Sequence, residues 1–305
     1  MTASSMETTE LNGAATETGG SGESRDRVQY LEAKLILKPS RCASGDDLRH
    51  FGKLTHHSAK TLGVGFVQNP TIDHPPTLRE ISFYDTPGFA LYNHAFILRR
   101  RVRYVDGFPA GDPEIVLKFR HPDEQQAARV DVRPIIAGSY RIKFKVEQLP
   151  LKNVVGGFRL LYSHNCVFGL SQAHHTDKYS MRTLVQVFPA LAALRIPSHE
   201  KIDLVYKGVV EELLLNLGQL DFGKGALAKC SIALWRTRGE HQPIAAELGY
   251  QVTFNHAGTM HEKPRKLSEQ FFVALQQEVA DWLFLGTTKT GIIYRLNGNP
   301  PHQLE

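Results

Sequence analysis

Residues 28–38, VQYLEAKLILK, alternate between an apolar and a charged side. Gln29, Leu31, Ala33, Leu35 and Leu37 take one face. Tyr30, Glu32, Lys34 and Lys38 take the other, with Ile36 among them. A period of two predicts a strand with one buried face. The stretch FYDTPGFALYNHAFILRRRVR, residues 83–103, joins an aromatic-acid-Thr-Pro turn to a strand in which Arg99, Arg101 and Arg103 share a face opposite Leu98, Arg100 and Val102. In 114–120, Ile115, Leu117 and Phe119 oppose Val116, Lys118 and Arg120. Asp131 and Arg133 share a face in 130–133. In 141–147, Ile142, Phe144 and Val146 oppose Arg141, Lys143, Lys145 and Glu147. Alternation returns at 230–238, where Arg236 and Arg238 share a face with Ile232 and Leu234. It continues at 247–254, with Glu247 on the face of Gln251 and Thr253, and at 289–296, with Lys289 and Arg295 together.

Helical spacing predicts helices over 44–62, 155–172, 179–195 and 268–285. Ser44 and Asp47 have capping-box spacing, Ser268 is a candidate cap, and Pro189 is an expected break. Residues 107–113 are expected to form a turn-rich loop. The β-branched residues of 202–213 favour a strand, and Glu211 and Glu212 are expected at the surface. Residues 1–26 are rich in Thr, Ser, Gly, Ala and Glu and predict a disordered tail, leaving 27–305 as one folded domain with a helical insertion around 150–200.

The 305 residues are 42% hydrophobic and 22% charged, as in an ordinary globular protein, with a net charge of +5. No run of apolar residues is long enough to span a membrane, and no basic-then-apolar leader is visible. The three cysteines form no CxxC pair, which argues against a disulfide framework or a cysteine zinc site and favours a reducing cytoplasm. His164, Cys166, His174 and His175 cluster with no zinc-motif spacing, and a GxxxxGK[ST] phosphate loop is absent.

The charged strand faces change this ordinary picture. They carry Lys34, Lys38, Arg99, Arg101, Arg103, Lys118, Arg120, Arg133, Arg141, Lys143, Lys145, Arg236, Arg238, Lys289 and Arg295, against only Glu32, Asp131, Glu147 and Glu247. A solvated sheet face mixes the signs more evenly. Two architectures accommodate this: a sandwich with charged faces in water, or a closed barrel with a charged interior and helices over its apolar outside. The second needs an anion within, and guanidinium forks match phosphate oxygens.

Several motifs in order resemble the CYTH family, the triphosphate tunnel metalloenzymes. That family opens with Glu-x-Glu-x-Lys; here the stretch is Tyr30-Leu31-Glu32-Ala33-Lys34. Phe83 to Pro87, Leu98 to Arg101 and Leu117-Lys118 resemble its next motifs, and Arg236, Arg238 and Glu247 its late ones. Tyr30 replaces the first Glu, and Gly249 and Gln251 stand where further acids are common. The resemblance implies an α+β fold, an antiparallel β-barrel or tunnel with a charged interior flanked by helices. It implies a metal-dependent phosphohydrolase acting on inorganic, nucleoside or thiamine triphosphate. Arg99, Arg101, Arg103, Lys118, Arg120, Lys143, Lys145, Arg236, Arg238 and Lys289 would hold phosphate. Lys34 and Glu32 would be catalytic, and Glu32, Asp131, Glu147 and Glu247 would bind Mg²⁺ or Mn²⁺. The alternatives are a class IV-type adenylyl cyclase and a non-catalytic polyphosphate, nucleotide or RNA 5′-end binder.

Overall fold

Each alternating stretch needs a partner strand for its backbone and a cover for its apolar face. A computed structural model supplies both, describing residues 26–172, 180–254 and 260–296. Residues 1–25, as well as His174 and His175, lie outside the described residues. In chain order the elements are β1 (Tyr30–Leu37), α1 (Gly45–Thr61), β2 (Gly65–Gln68), β3 (Thr77–Asp85), α2 (Ala90–Asn93), β4 (Phe96–Val105), β5 (Phe108–His121), α3 (Glu124–Arg129), β6 (Arg141–Pro150), β7 (Phe158–Gly169), α4 (Met181–Val187), β8 (Asp203–Leu204), β9 (Val210–Asp221), β10 (Leu227–Thr237), β11 (Pro243–Thr253), α5 (Glu262–Glu278) and α6 (Lys289–Arg295).

Nine strands close into a barrel in the order β9-β10-β11-β1-β6-β7-β5-β4-β3, with β3 returning to β9; β2 and β8 flank it. An odd number of strands cannot close with every neighbour antiparallel. The parallel pair is β1–β6, which puts Glu32 beside Glu147. The barrel is therefore mixed rather than wholly antiparallel. Much of its outer face is apolar and covered. Leu48 and Phe51 of α1 and Phe271, Phe272 and Leu275 of α5 pack with Leu31, Leu35, Ile232, Leu248 and Val252. Met181 and Leu184 of α4 pack with Leu98, Leu117 and Cys166. Burying each such large side chain is worth roughly 1.5–3 kcal/mol. Among the described residues no helix is long and apolar enough to cross a membrane.

Where local pattern and structure differ, tertiary context decides. Residues 158–169 form a strand instead of the expected helix. β7 lies between β5 and β6 and is buried on both faces, which hides the alternation. Residues 289–295 form a helix instead of a strand: no strand edge receives them, and Thr288 Oγ1 accepts from Gly291 N–H at 3.1 Å as an N-cap. The expected loop at 107–113 shrinks to a two-residue Asp106-Gly107 turn with φ of 50° and 82°, the left-handed pair that suits a tight hairpin. Residues 130–133 are not a strand, because Asp131 accepts from Arg133 N–H and Nη1, each at 3.0 Å, and turns the chain. Ser268 lies inside α5, not at its start. The helix at 179–195 breaks before Pro189 into α4 and a short 3₁₀ turn. The capping box is present: Ser44 Oγ accepts from Asp47 N–H at 3.1 Å, and Asp47 accepts from Ser44 N–H at 2.9 Å.

The aromatic-acid-Thr-Pro turn is structural. Buried Asp85 accepts from the N–H groups of Thr86 at 2.7 Å and of Leu91 and Tyr92 at 2.9 Å. It thereby holds α2 against one end of the barrel. There Ile81, Phe83, Ile97, Val210, Trp235 and Ala245 on the inner face pack with Tyr92 of α2 and with Ile293 and Tyr294 of α6. This end is filled by an apolar plug. Burial raises the Asp85 carboxyl from the ordinary 3.8 to about 6, against the pull of its N–H donors. The fold then prefers protonated Asp85, so its contribution is full below pH 3.8 and is lost as pH rises through about 6. Urea titration of Asp85→Ala is expected to show a loss of about 1–3 kcal/mol from the orphaned N–H groups. Asp85→Asn is expected to flatten the slope of stability across that pH window.

Candidate functional site

Because side chains alternate, one face of every barrel strand points inward, and these faces enclose a cavity of about 370 Å³. Ten Lys and Arg side chains line it against four Glu, an excess of six positive charges in a chain whose whole net charge is +5. Of the positions expected from sequence, Glu32, Lys34, Arg99, Arg101, Lys118, Arg120, Lys143, Lys145, Glu147, Glu247 and Lys289 are brought together there.

Glu147 is the deepest counter-ion. It is fully buried, and Oε1 accepts from Lys34 Nζ at 3.0 Å, from Ser163 Oγ at 3.0 Å and from Lys118 Nζ, while Arg120 Nη2 stands 3.3 Å from Oε2. Burial opposes its ionisation, but Arg120, Lys118 and Lys34 outweigh burial and hold the carboxyl well below the usual range. Beside it Glu32 pairs with Lys34 at 2.9 Å and Lys145 at 3.2 Å. Burial opposes ionisation here too, and Lys34 and Lys145 overcome it. Lys34 is thus fixed between two carboxylates, which raise its ammonium above the usual range against the effect of burial.

A second cluster lies toward the plug. Glu212 accepts from Trp235 Nε1–H at 2.8 Å and pairs with Arg79 and, at 3.5 Å, with Lys289. Lys289 also reaches Glu247 at 3.0 Å and lies 4.5 Å above the Trp235 ring. Burial works against a charged Glu212, yet Lys289 and Arg79 bring its carboxyl down to about 2. Between the clusters Arg99 has no ion pair with any described residue, and its buried Nε lacks a partner. Burial, then Arg101 and Arg79, bring its guanidinium down to about 9. Lys143 is lowered by burial and then by Lys145 and Arg141.

Four expected residues are elsewhere. Arg103 is exposed beyond the irregularity in the β4–β5 ladder and does not line the cavity. Arg236 follows inward-facing Trp235, so it lies with Ile232 and Leu234 on the outer side and pairs with Glu211 at 2.8 Å. Arg238 pairs with Glu80 at 3.2 Å. Asp131 holds Arg133 outside the barrel. Sequence reasoning missed Arg79 and Lys229 and placed Glu212 at the surface. The alternation of β3 would have revealed Arg79, two residues before Ile81.

The resemblance implied Mg²⁺ or Mn²⁺ held by Glu32, Asp131, Glu147 and Glu247. Among the described residues, no three His, Cys, Asp or Glu side chains form a group that could hold a metal ion. Asp131 is outside the cavity, and the other three carboxylates are each neutralised by lysine. This donor set does not fit a resident divalent ion.

No protein-family model matches the sequence, and neither does any curated protein. Solved structures similar to the chain include a candidate adenylyl cyclase from Hippeastrum described as having a dominant triphosphatase activity. It has 12% identity and a TM-score of 0.42, over 90% of this chain and 98% of that one. A candidate adenylate cyclase from Bacillus halodurans has 12% identity and a TM-score of 0.39, over 86% and 95%. Another from Vibrio parahaemolyticus has 13% identity and a TM-score of 0.35, over 88% and 100%. The cavity's chemistry follows from its own residues.

Glu147→Ala leaves Lys34, Lys118 and Arg120 without their shared carboxylate and is expected to cost about 3–5 kcal/mol by urea unfolding. Tripolyphosphate is expected to raise the melting temperature of this variant more than that of the wild type. Because burial and neighbouring cations hold Arg99, Lys118 and Lys143 below their ordinary ranges, an anion bound there would restore them and the protein would take up protons. Affinity is therefore expected to fall as pH rises through about 9. Calorimetry in two buffers of different ionisation enthalpy, at pH near 9, measures the proton uptake.

Proposed function

We propose that this protein binds a triphosphate compound in its cavity and acts on it as a phosphohydrolase. The observation that carries this reading is the inner charge balance: ten cations against four carboxylates, with Arg99 making no ion pair with any described residue. A linear triphosphate supplies several negative charges in a shape that fits a narrow channel, and guanidinium groups meet its oxygens bidentately. Inorganic, nucleoside and thiamine triphosphates all present that group.

In hydrolysis, water attacks the terminal phosphorus and the bridging P–O bond breaks, leaving charge on the departing oxygen. Such transition states are loose, so positioning and fixed positive charge do most of the work. Arg99, which makes no ion pair with any described residue, would meet that charge directly, and Arg101 and Lys118 would share it on exchanging their pairs with Glu114 and Glu147 for phosphate oxygens. Lys34, clamped by Glu32 and Glu147, orients the chain of phosphates.

The non-catalytic binding module remains a second reading, favoured by one observation. Glu32, Glu147 and Glu212 are all held as weak bases by their cations and are poorly suited to take a proton from water.

The test is phosphate release from tripolyphosphate, ATP and thiamine triphosphate, with Mg²⁺, Mn²⁺ or EDTA. Release from at least one is expected. Arg99→Ala is expected to weaken tripolyphosphate binding by about 1.5–3 kcal/mol in calorimetry, with no loss of melting temperature. Tight binding with no turnover under any condition leaves the binding module; no binding ends the triphosphate reading.

A further inference from the structure

Lys145 lines the cavity, and its largely buried ammonium meets oxygen acceptors. It donates to Gln251 Oε1 at 2.7 Å and pairs with Glu32 Oε1 at 3.2 Å. Its third neighbour is the Tyr30 ring, with Nζ 5.8 Å from the centroid. These groups come together by register: Tyr30 pairs with Lys145 across β1–β6, and Glu32 with Gln251 across β1–β11. A carboxylate and an amide oxygen are hard ligands of the kind a divalent cation would use. Here a lysine tip fills that place, and the neighbouring Tyr30 ring offers no further carboxylate.

We propose that Lys145 is a built-in monovalent cation that takes the part of a divalent ion, so that the cavity binds a triphosphate without metal. The chemistry is consistent on each side. The ammonium is neutralised by one carboxylate, oriented by one amide oxygen and bounded by a π face, which attracts a cation without adding negative charge. A divalent ion entering this place would have to displace an ammonium tethered by the chain itself. The ligand half of this inference rests on the triphosphate reading above; the metal half does not.

Two measurements separate the halves. The first titrates Mn²⁺ into the protein alone and follows the free-ion signal by electron paramagnetic resonance. Wild type is expected to leave the signal unchanged. Lys145→Met is expected to bind one Mn²⁺ per chain, and Lys145→Met with Glu32→Gln to lose that binding. Lys145→Arg keeps the charge and is expected to remain indifferent to metal. One Mn²⁺ taken up by wild type and lost in Glu32→Gln overturns the proposal, and this arm needs no cavity-emptying variant to fold.

The second measurement is calorimetric titration with tripolyphosphate in EDTA and in Mg²⁺. Wild type is expected to bind in EDTA, and Lys145→Met to bind about tenfold or more weakly there, with part of the loss restored by Mg²⁺. Wild-type binding that appears only with Mg²⁺ overturns the proposal. If tripolyphosphate fails to bind under any condition, the triphosphate reading falls and the Mn²⁺ arm still decides the place of Lys145.

Discussion

Cations facing one another across a closed interior repel unless something inside neutralises them. Water screens such repulsion on an open sheet, but a barrel wall confines it. Glu147 provides the internal counter-ion, gathering Lys34, Lys118 and Arg120 around one buried carboxylate. Glu212 does the same for Arg79 and Lys289 at the other end of the cavity. With these two nodes in place the wall can close while cations remain on the inside.

The neutralisation is deliberately short of complete. Arg99 lies between the nodes, and Lys143 and Lys229 line the same space. The depressed guanidinium of Arg99 records the cost of keeping charge there unaccompanied. An anion bound there would relieve that cost, so part of its affinity would be stored in the protein beforehand.

The apolar parts of the fold serve the same end. Outer strand faces are sealed by α1, α4 and α5, which keeps the inner faces as the place for charge. The plug of Phe83, Trp235 and Tyr294 fills one end, and Asp85 fixes the short helix behind it. Trp235 belongs to both environments: its ring packs in the plug while its indole N–H holds Glu212. The aromatic-acid-Thr-Pro turn, read from sequence next to the arginine strand, thus shapes the cavity's end without lining the cavity.

Much of the barrel was legible in the chain, because a strand exposed to charge on one face and to helices on the other must alternate. β1, β4, β5, β6, β10 and β11 announce themselves in this way, and the excess of basic residues on their faces already implied a shared anion. β7 did not, because burial on both faces erases the period. Lys289 was named for the site from a stretch expected to be a strand. It reaches the cavity instead from α6, which inserts among the inner-face residues at the plug. Local alternation assigns each charged residue to a face, but only closure of the ring decides which face is inside and where it ends. Arg103 runs past the cavity, Arg236 turns outward with its apolar neighbours, and Glu212 turns inward from a pair expected in solvent. Those outcomes depend on register between strands far apart in sequence, and no single strand carries that information.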